Sequence, residues 1–218
     1  IRPTPELHSI CSTICTQKDQ DCESESNDNV ITLKGQESEY RIDPVSDEQT
    51  TIVCTNKPIT TTTTITTGEN GTYIIDAHPT PTQSISKGVI VNGKASIKNI
   101  ILGTTRSDNI TGGDNDDVLV GRGSADENQG DELKGEQGDD SFLPWGDINS
   151  KFKSSSDVTI DGGLGFDRVH FNETEASFST DDYCSTDKCT VTSDQGGNAE
   201  LTNVELLMFE DTALPIPE

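Results

Sequence analysis

A nonapeptide of glycines and aspartates sets what this chain can fold into. Its cleanest copy is Gly162-Gly163-Leu164-Gly165-Phe166-Asp167-Arg168-Val169-His170, which fits G-G-x-G-x-D-x-U-x, with U a large apolar residue, at every fixed position. Four less regular copies precede it. The one starting at Gly103 lacks two glycines but keeps Asp108 and Ile110. The next, at Gly112, lacks only the third glycine and carries Asp117 and Leu119. A third, at Gly121, keeps Asp126 but has Asn128 where the apolar residue belongs. The sequence then slips by five residues, and Asp131-Glu132-Leu133 supplies a second Asp-x-apolar ending. The fourth, at Gly135, carries Asp140 and Phe142. A lone Gly/Asp motif reads as a solvated turn. Three starts in nine-residue phase, at Gly103, Gly112 and Gly121, argue against that for the block.

The spacing has a chemical consequence. Half of each nonapeptide is a glycine-rich turn, which leaves carbonyls uncovered. The other half is a short strand whose apolar residue points inward. Two nonapeptides make one coil of about 18 residues, and stacked coils lie about 4.8 Å apart. At that distance the turn aspartates and nearby carbonyls of successive coils can surround a hard cation with oxygen. Ca²⁺ tolerates such an irregular set, whereas Mg²⁺ wants a tight octahedron and keeps its waters. The candidate ligands are Asp108, Asp117, Asp126, Asp131, Asp140 and Asp167, with the carbonyls of Gly103, Gly112, Gly121, Gly135 and Gly162. Asp126 and Asp131 compete for one site across the slip. A single coil cannot bury its own apolar face, so folding and Ca²⁺ binding are expected to be coupled.

Composition agrees with bound cations. Of 218 residues only 29% are hydrophobic, and 39 acidic against 15 basic residues give a formal charge of −24. Such a surplus opposes compaction. About five Ca²⁺ would offset on the order of ten of those charges. The same balance argues against nucleic acid or anionic lipid as partner, and no apolar run is long enough for membrane insertion as a helix. The chain starts at Ile1 and shows no signal peptide, which suggests a processed chain or a fragment.

Residues 101–214 resemble the C-terminal part of secreted RTX proteins, the haemolysin-type calcium-binding family. The repeats carry the resemblance, together with the segment from Ile160 to Val169, the strand-like runs Ala176-Ser177-Phe178-Ser179 and Thr190-Val191-Thr192, and the ending Leu201-Thr202-Asn203-Val204-Glu205-Leu206-Leu207-Met208-Phe209. The resemblance implies a calcium β-roll, export of an unfolded chain from a bacterium, and folding on meeting external calcium. Its members include toxins, proteases, lipases, epimerases, adhesins and surface-layer proteins, so it does not fix a function. Six cysteines are a departure from the family's pattern.

Outside the repeats the reading is β as well. Val30–Leu33, Thr51–Cys54, Thr64–Thr66 and Tyr73–Ile75 are short β-branched runs bounded by turn residues. Val89 to Ile97 around Asn92-Gly93 looks like a hairpin, although a solenoid corner would leave similar traces. The run Thr60 to Thr64 reads as an exposed strand or linker rather than a threonine ladder. The stretch from Pro144 to Ser156 reads as a loop bulging from the roll, with Lys151 and Lys153 in it. Cys184 and Cys189 suit a disulfide across a hairpin tip. Cys11, Cys15, Cys22 and Cys54 allow three pairings. His8, His78 and His170 read as solvated. Asn70, Asn109 and Asn172 head glycosylation sequons that chance explains in a Thr-rich chain. Asp116/Asp117 and Asp139/Asp140 could mimic a glycosidase pair, but their place in the repeats favours metal.

The expected protein is all-β: a right-handed, calcium-binding parallel β-roll or β-solenoid at 101–171, a β-rich, disulfide-stapled N-terminal region at 1–100, either continuous with the solenoid or separate from it, and a β-hairpin cap at 172–218. The expected function is non-enzymatic, an extracellular or cell-surface structural protein of a surface layer, matrix or filament, with self-association as its partnership. A calcium-dependent adhesin or glycan-binding module, and the secretion tail of a larger hydrolase, are the alternatives.

Overall fold

The computed structural model describes residues 30–33, 39–42, 50–55, 63–77, 87–94, 98–124, 129–146, 156–181 and 184–217. Thirteen strands follow one another as β1 (Val30–Leu33), β2 (Glu39–Ile42), β3 (Thr50–Thr55), β4 (Thr63–Thr67), β5 (Thr72–Asp76), β6 (Val89–Asn92), β7 (Lys98–Leu102), β8 (Asn109–Gly113), β9 (Val118–Val120), β10 (Asp131–Gln137), β11 (Ser141–Leu143), β12 (Val158–Leu164) and β13 (Arg168–His170). A short 3₁₀ turn at Glu175–Ser177 leads to β14 (Phe178–Thr180), β15 (Cys189–Ser193), β16 (Asn198–Thr202), β17 (Leu206–Met208) and β18 (Ala213–Pro215).

From β1 to β13 the chain alternates between two sheets, odd strands in one and even strands in the other, and each strand pairs in parallel with its counterpart one coil away. This is a parallel β-solenoid, and the strands before residue 101 belong to the same two nine-stranded sheets as the repeats. No helix among the described residues is long and apolar enough to cross a membrane.

The apolar residue of each repeat explains the stacking. In the odd sheet Val53, Ile75, Ile101, Leu119, Phe142, Val169 and Leu207 lie in register, one per coil, each at most 2% exposed. In the even sheet Ile65, Val91, Ile110, Leu133, Ile160 and Leu201 do the same. Each side chain is covered by the coil above and the coil below, so burial worth about 1.5–3 kcal/mol per residue exists only once neighbours have stacked.

Coil length departs from the expected 18. Equivalent positions are 18 residues apart from Asn99 to Asp117, 23 from Asp117 to Asp140, 27 from Asp140 to Asp167 and 38 from Asp167 to Glu205. The strands keep register and the corners absorb the extra residues. The gap from Gly135 to Gly162 is thus one lengthened coil, not three nonapeptides in phase.

Two expectations are corrected. The hairpin expected from Val89 to Ile97 is replaced by a solenoid strand: β6 pairs in parallel on both sides, with β4 and β8, and Asn92-Gly93 leads into a corner, while residues 95–97 lie outside the described residues. A turn dipeptide suits either role. The inward apolar residues Val91 and Ile101 favour pairing with the coils on both sides. The threonine run enters β4, an interior strand between β2 and β6 in which Thr63 and Thr67 are buried, while Thr60 to Thr62 lie outside the described residues. Of the stretch expected to bulge, Pro144, Trp145, Gly146 and Ser156 are buried, and residues 147–155 lie outside the described residues. Trp145 donates its indole N–H to the Ser156 carbonyl at 3.2 Å and joins Phe171, Phe178 and Phe209 in an aromatic cluster at the C-terminal end of the core. Lys151 and Lys153 lie outside the described residues.

The C-terminal end is closed by antiparallel pairs, β14–β15–β16 and β17–β18, as the hairpin cap requires. Cys184 and Cys189 are disulfide-bonded across the turn closed by the Ser185–Lys188 bridge, with Cα atoms 4.3 Å apart. Cys54 is buried in β3 and disulfide-bonded. Cys11, Cys15 and Cys22 lie outside the described residues.

Candidate metal centre

Two corners run the length of the solenoid. Corner I leads from an odd strand to the next even strand, and corner II leads back. Parallel register turns each into a column of equivalent residues.

At corner II the column reads Thr51, Tyr73, Asn99, Asp117, Asp140, Asp167, Glu205. The acids interlock through the backbone. Asn99 N–H donates to Asp117 Oδ1 at 2.5 Å, Asp117 N–H to Asp140 Oδ1 at 2.7 Å, Asp140 N–H to Asp167 Oδ1 at 2.8 Å and Asp167 N–H to Glu205 Oε2 at 2.6 Å. One oxygen of each aspartate is thereby satisfied. The other is not: Oδ2 of Asp117, Asp140 and Asp167 is buried and accepts no hydrogen bond. All three residues are at most 1% exposed.

The glycines show where those oxygens point. A Cβ on Gly112 would lie 2.5 Å from Asp117 Oδ2 and 2.9 Å from the Gly135 carbonyl. On Gly135 it would strike Asp140 Oδ2 and the Gly162 carbonyl, and on Gly162 it would strike Asp167 Oδ2 and the Asn203 carbonyl. At each step a carboxylate oxygen and a carbonyl of the next coil converge on the space that the glycine leaves open. A buried carboxylate oxygen without a donor, set beside a carbonyl, calls for a proton or a cation, and an all-oxygen set suits a hard one. Among the described residues no three His, Cys, Asp or Glu side chains gather as a metal cluster. The donors that do gather are one carboxylate and backbone carbonyls per step, and they fit Ca²⁺ as the residues holding one end of each site. Gly112→Ala is therefore expected to weaken calcium binding at least tenfold, read by calorimetric titration, because its Cβ fills the cradle. Unchanged affinity would mean the cradle is not used.

Electrostatics point the same way. Burial pushes Asp117 up to about 7, Asp140 to about 8 and Asp167 to about 7, against backbone hydrogen bonds that lower them. Asp140 is also raised by the neighbouring Asp117 and Asp167 carboxylates. A column of like charges that cannot ionise together holds protons or takes up cations.

Corner I differs. Its column is Thr63, Val89, Asp108, Asp131, Val158, Ala199, with only two acids. Asp108 is fully engaged: Oδ1 accepts from Val89 N–H at 2.7 Å and Thr104 Oγ1 at 2.9 Å, and Oδ2 accepts from Thr104 N–H at 2.5 Å. Burial raises it to about 7, opposed by those hydrogen bonds and by Arg122. Asp131 Oδ1 accepts from Asp108 N–H at 3.0 Å, and its Oδ2 lies with the Pro144 carbonyl against Gly121, as Asp108 Oδ2 and the Gly121 carbonyl lie against Gly103. Of the two acids that compete across the slip, Asp131 sits in the column. Asp126 lies outside the described residues.

The sequence reading missed Asn99, Asn203, Glu205, Thr104 and Arg122. Only Asn99 left a periodic trace, 18 residues before Asp117. The paired carboxylates do not act together. Asp117 and Asp140 face inward, while Asp116 and Asp139 are exposed and form an outer ladder in which Asp139 N–H donates to Asp116 Oδ1 at 2.9 Å. His170 is half-buried at the end of β13, and His8 and His78 lie outside the described residues.

Fold and column together define a class, a parallel β-solenoid with carboxylate–carbonyl steps along its corners. No protein-family model, curated protein or solved structure matches the chain.

Proposed function

We propose that this chain is an extracellular, calcium-stabilised structural protein of the RTX type, a non-enzymatic subunit of a surface layer, matrix or filament whose folding is coupled to Ca²⁺. The observation that carries this reading is the column of buried, undonated Oδ2 atoms on Asp117, Asp140 and Asp167. Leaving such groups ionised without a partner costs several kcal/mol each, and Ca²⁺ outside a cell removes that cost. Within the cytosol, where free calcium is scarce, the coils carrying Asp140 and Asp167 would not stack, which suits a secreted chain.

Self-association is supported by the surface. Leu164 and Phe166, in a corner II turn, are 71% and 42% exposed on a chain of charge −24. Apolar side chains placed so suit a lateral contact with another copy. The C-terminal edge is blunted by the three-residue β14 and by Pro215 in β18, so lateral faces and the β1–β2 edge are the assigned contacts.

The test is a titration of EDTA-stripped protein with Ca²⁺, and with Mg²⁺ in parallel, followed by far-UV circular dichroism and sedimentation velocity. A cooperative gain of β signal with Ca²⁺ alone, accompanied by growth in mass, is expected. An unchanged spectrum would sink calcium-coupled folding. Gain of structure in a monodisperse monomer that binds a glycan array only with calcium would replace the structural role by an adhesin's.

A further inference from the structure

The donor pair that repeats down corner II, a carboxylate and a glycine carbonyl of the adjacent coil, occurs once at corner I with a cation already in place. Arg122 follows Gly121 and is 5% exposed. Its Nη1 donates to Asp76 Oδ1 at 2.8 Å and to the Gly103 carbonyl at 2.9 Å. Asp76 ends β5 in register with Leu102, the residue before Gly103, so the two acceptors come from neighbouring coils. Arg122 itself belongs to the coil after that. One guanidinium thus ties three successive coils. It does so from a backbone with φ +70°, a conformation that a residue with a Cβ adopts at a cost, which is the mark of a side chain held in place by its contacts.

We propose that Arg122 is a tethered stand-in for a divalent cation at corner I. It fixes the coils from β5 to β9 without metal, and calcium dependence begins only beyond it. The stand-in has a neutral counterpart at corner II. Asn99 Nδ2 donates to the Gly112 carbonyl at 3.1 Å and to Asp117 Oδ1 at 3.2 Å, so an amide supplies the donor at the first step there. The chain would then hold a metal-independent template, on which the coils carrying Asp140 and Asp167 stack when Ca²⁺ arrives. A guanidinium suits the task because its planar fork can satisfy several oxygens at once and stays charged at any working pH. This inference rests on the reading of corner II as the cation column.

The test uses hydrogen exchange at single amides of the whole chain, in EDTA, Ca²⁺ and Mg²⁺. Ala77 N–H, bonded to the Leu102 carbonyl, and Gly103 N–H, bonded to the Val120 carbonyl, report on corner I. Asp140 N–H and Asp167 N–H report on corner II. Wild type and Arg122→Lys are expected to keep the first two amides protected in EDTA. Arg122→Met, purified in Ca²⁺, is expected to lose protection there at least about tenfold on EDTA treatment, and to regain it with Ca²⁺ but not Mg²⁺. Full protection of Arg122→Met in EDTA would overturn the proposal. So would a loss that Ca²⁺ does not restore, including failure to fold in Ca²⁺. If the corner II amides of wild type ignore calcium while Arg122→Met is rescued by it, only the corner II reading fails. If wild type responds and Arg122→Met is not rescued, only this proposal fails.

Discussion

Asp140→Asn is expected to stabilise the protein in EDTA and destabilise it in calcium. The substitution is isosteric. Oδ1 still accepts the Asp117 N–H, and an amide nitrogen replaces the Oδ2 that faces the Gly162 carbonyl. The chain already uses that solution two coils earlier, where the Asn99 amide donates to the Gly112 carbonyl at 3.1 Å. Without metal, the wild-type carboxyl must be protonated to be buried, because burial and its acidic neighbours push it to about 8. Asparagine avoids that protonation, a gain of about 2–4 kcal/mol near neutral pH. With saturating Ca²⁺ the sign turns. The ion loses an anionic ligand at the middle of the column, and stability falls by about 3 kcal/mol. Urea denaturation of both proteins, with EDTA and with Ca²⁺, reads the two differences. Loss of stability in both conditions would show that Oδ2 has a protein donor and that the column is an ordinary hydrogen-bond ladder.

The metal-free protein is expected to be more stable at pH 5 than at pH 8, the reverse of most acid-rich domains. Asp108, Asp117, Asp140 and Asp167 have folded-state values raised to about 7, 7, 8 and 7 by burial. Unfolded, each would titrate near 3.9. Between those limits the unfolded chain binds fewer protons than the folded one, so stability falls as pH rises. The contribution is complete below about pH 4 and is lost as pH climbs through 7 to 8. Each group adds a slope of about −1.4 kcal/mol per pH unit at most. The three at corner II are stacked on one another and titrate as a set rather than singly. Calcium competes with the same protons, so its stabilisation grows over the same window and offsets the decline. Thermal melts from pH 5 to pH 8, with EDTA and with Ca²⁺, should diverge steadily as pH rises. A melting temperature in EDTA that increases over this range would mean that the aspartates are ionised in the metal-free fold and already paired.

Much of the solenoid could be read from the chain because its information is local and periodic. Ile110, Leu119, Leu133, Phe142 and Val169 fall at the apolar position of successive Asp-x-apolar endings, and each became one rung of a core stack. Gly112, Gly135 and Gly162 announced open backbone at matching places. Asp131 against Asp126 was not decidable from spacing, since the slip left two acids with equal claims. Register places Asp131 next to Asp108, while Asp126 lies outside the described residues. The strands before residue 101 hid their membership for a different reason. They carry alternating apolar residues but no Gly/Asp nonapeptide, and alternation alone fits a hairpin as well as a coil.

What the sequence determined by itself was the repeating unit: one short strand, one glycine turn and one inward apolar residue, with acid held at the corners. What only the tertiary structure decided was which acids lack a donor. Asp108 and Asp117 look alike in the chain, each sixth in its nonapeptide. Stacking gives the first Thr104 and Val89 as donors with Arg122 nearby, and leaves the second with an open oxygen facing a carbonyl. Those partners lie up to a coil away along the chain, and the coils vary from 18 to 38 residues in length. No fixed spacing could have announced them, because register is set by burial of the core stack and the corners only follow it.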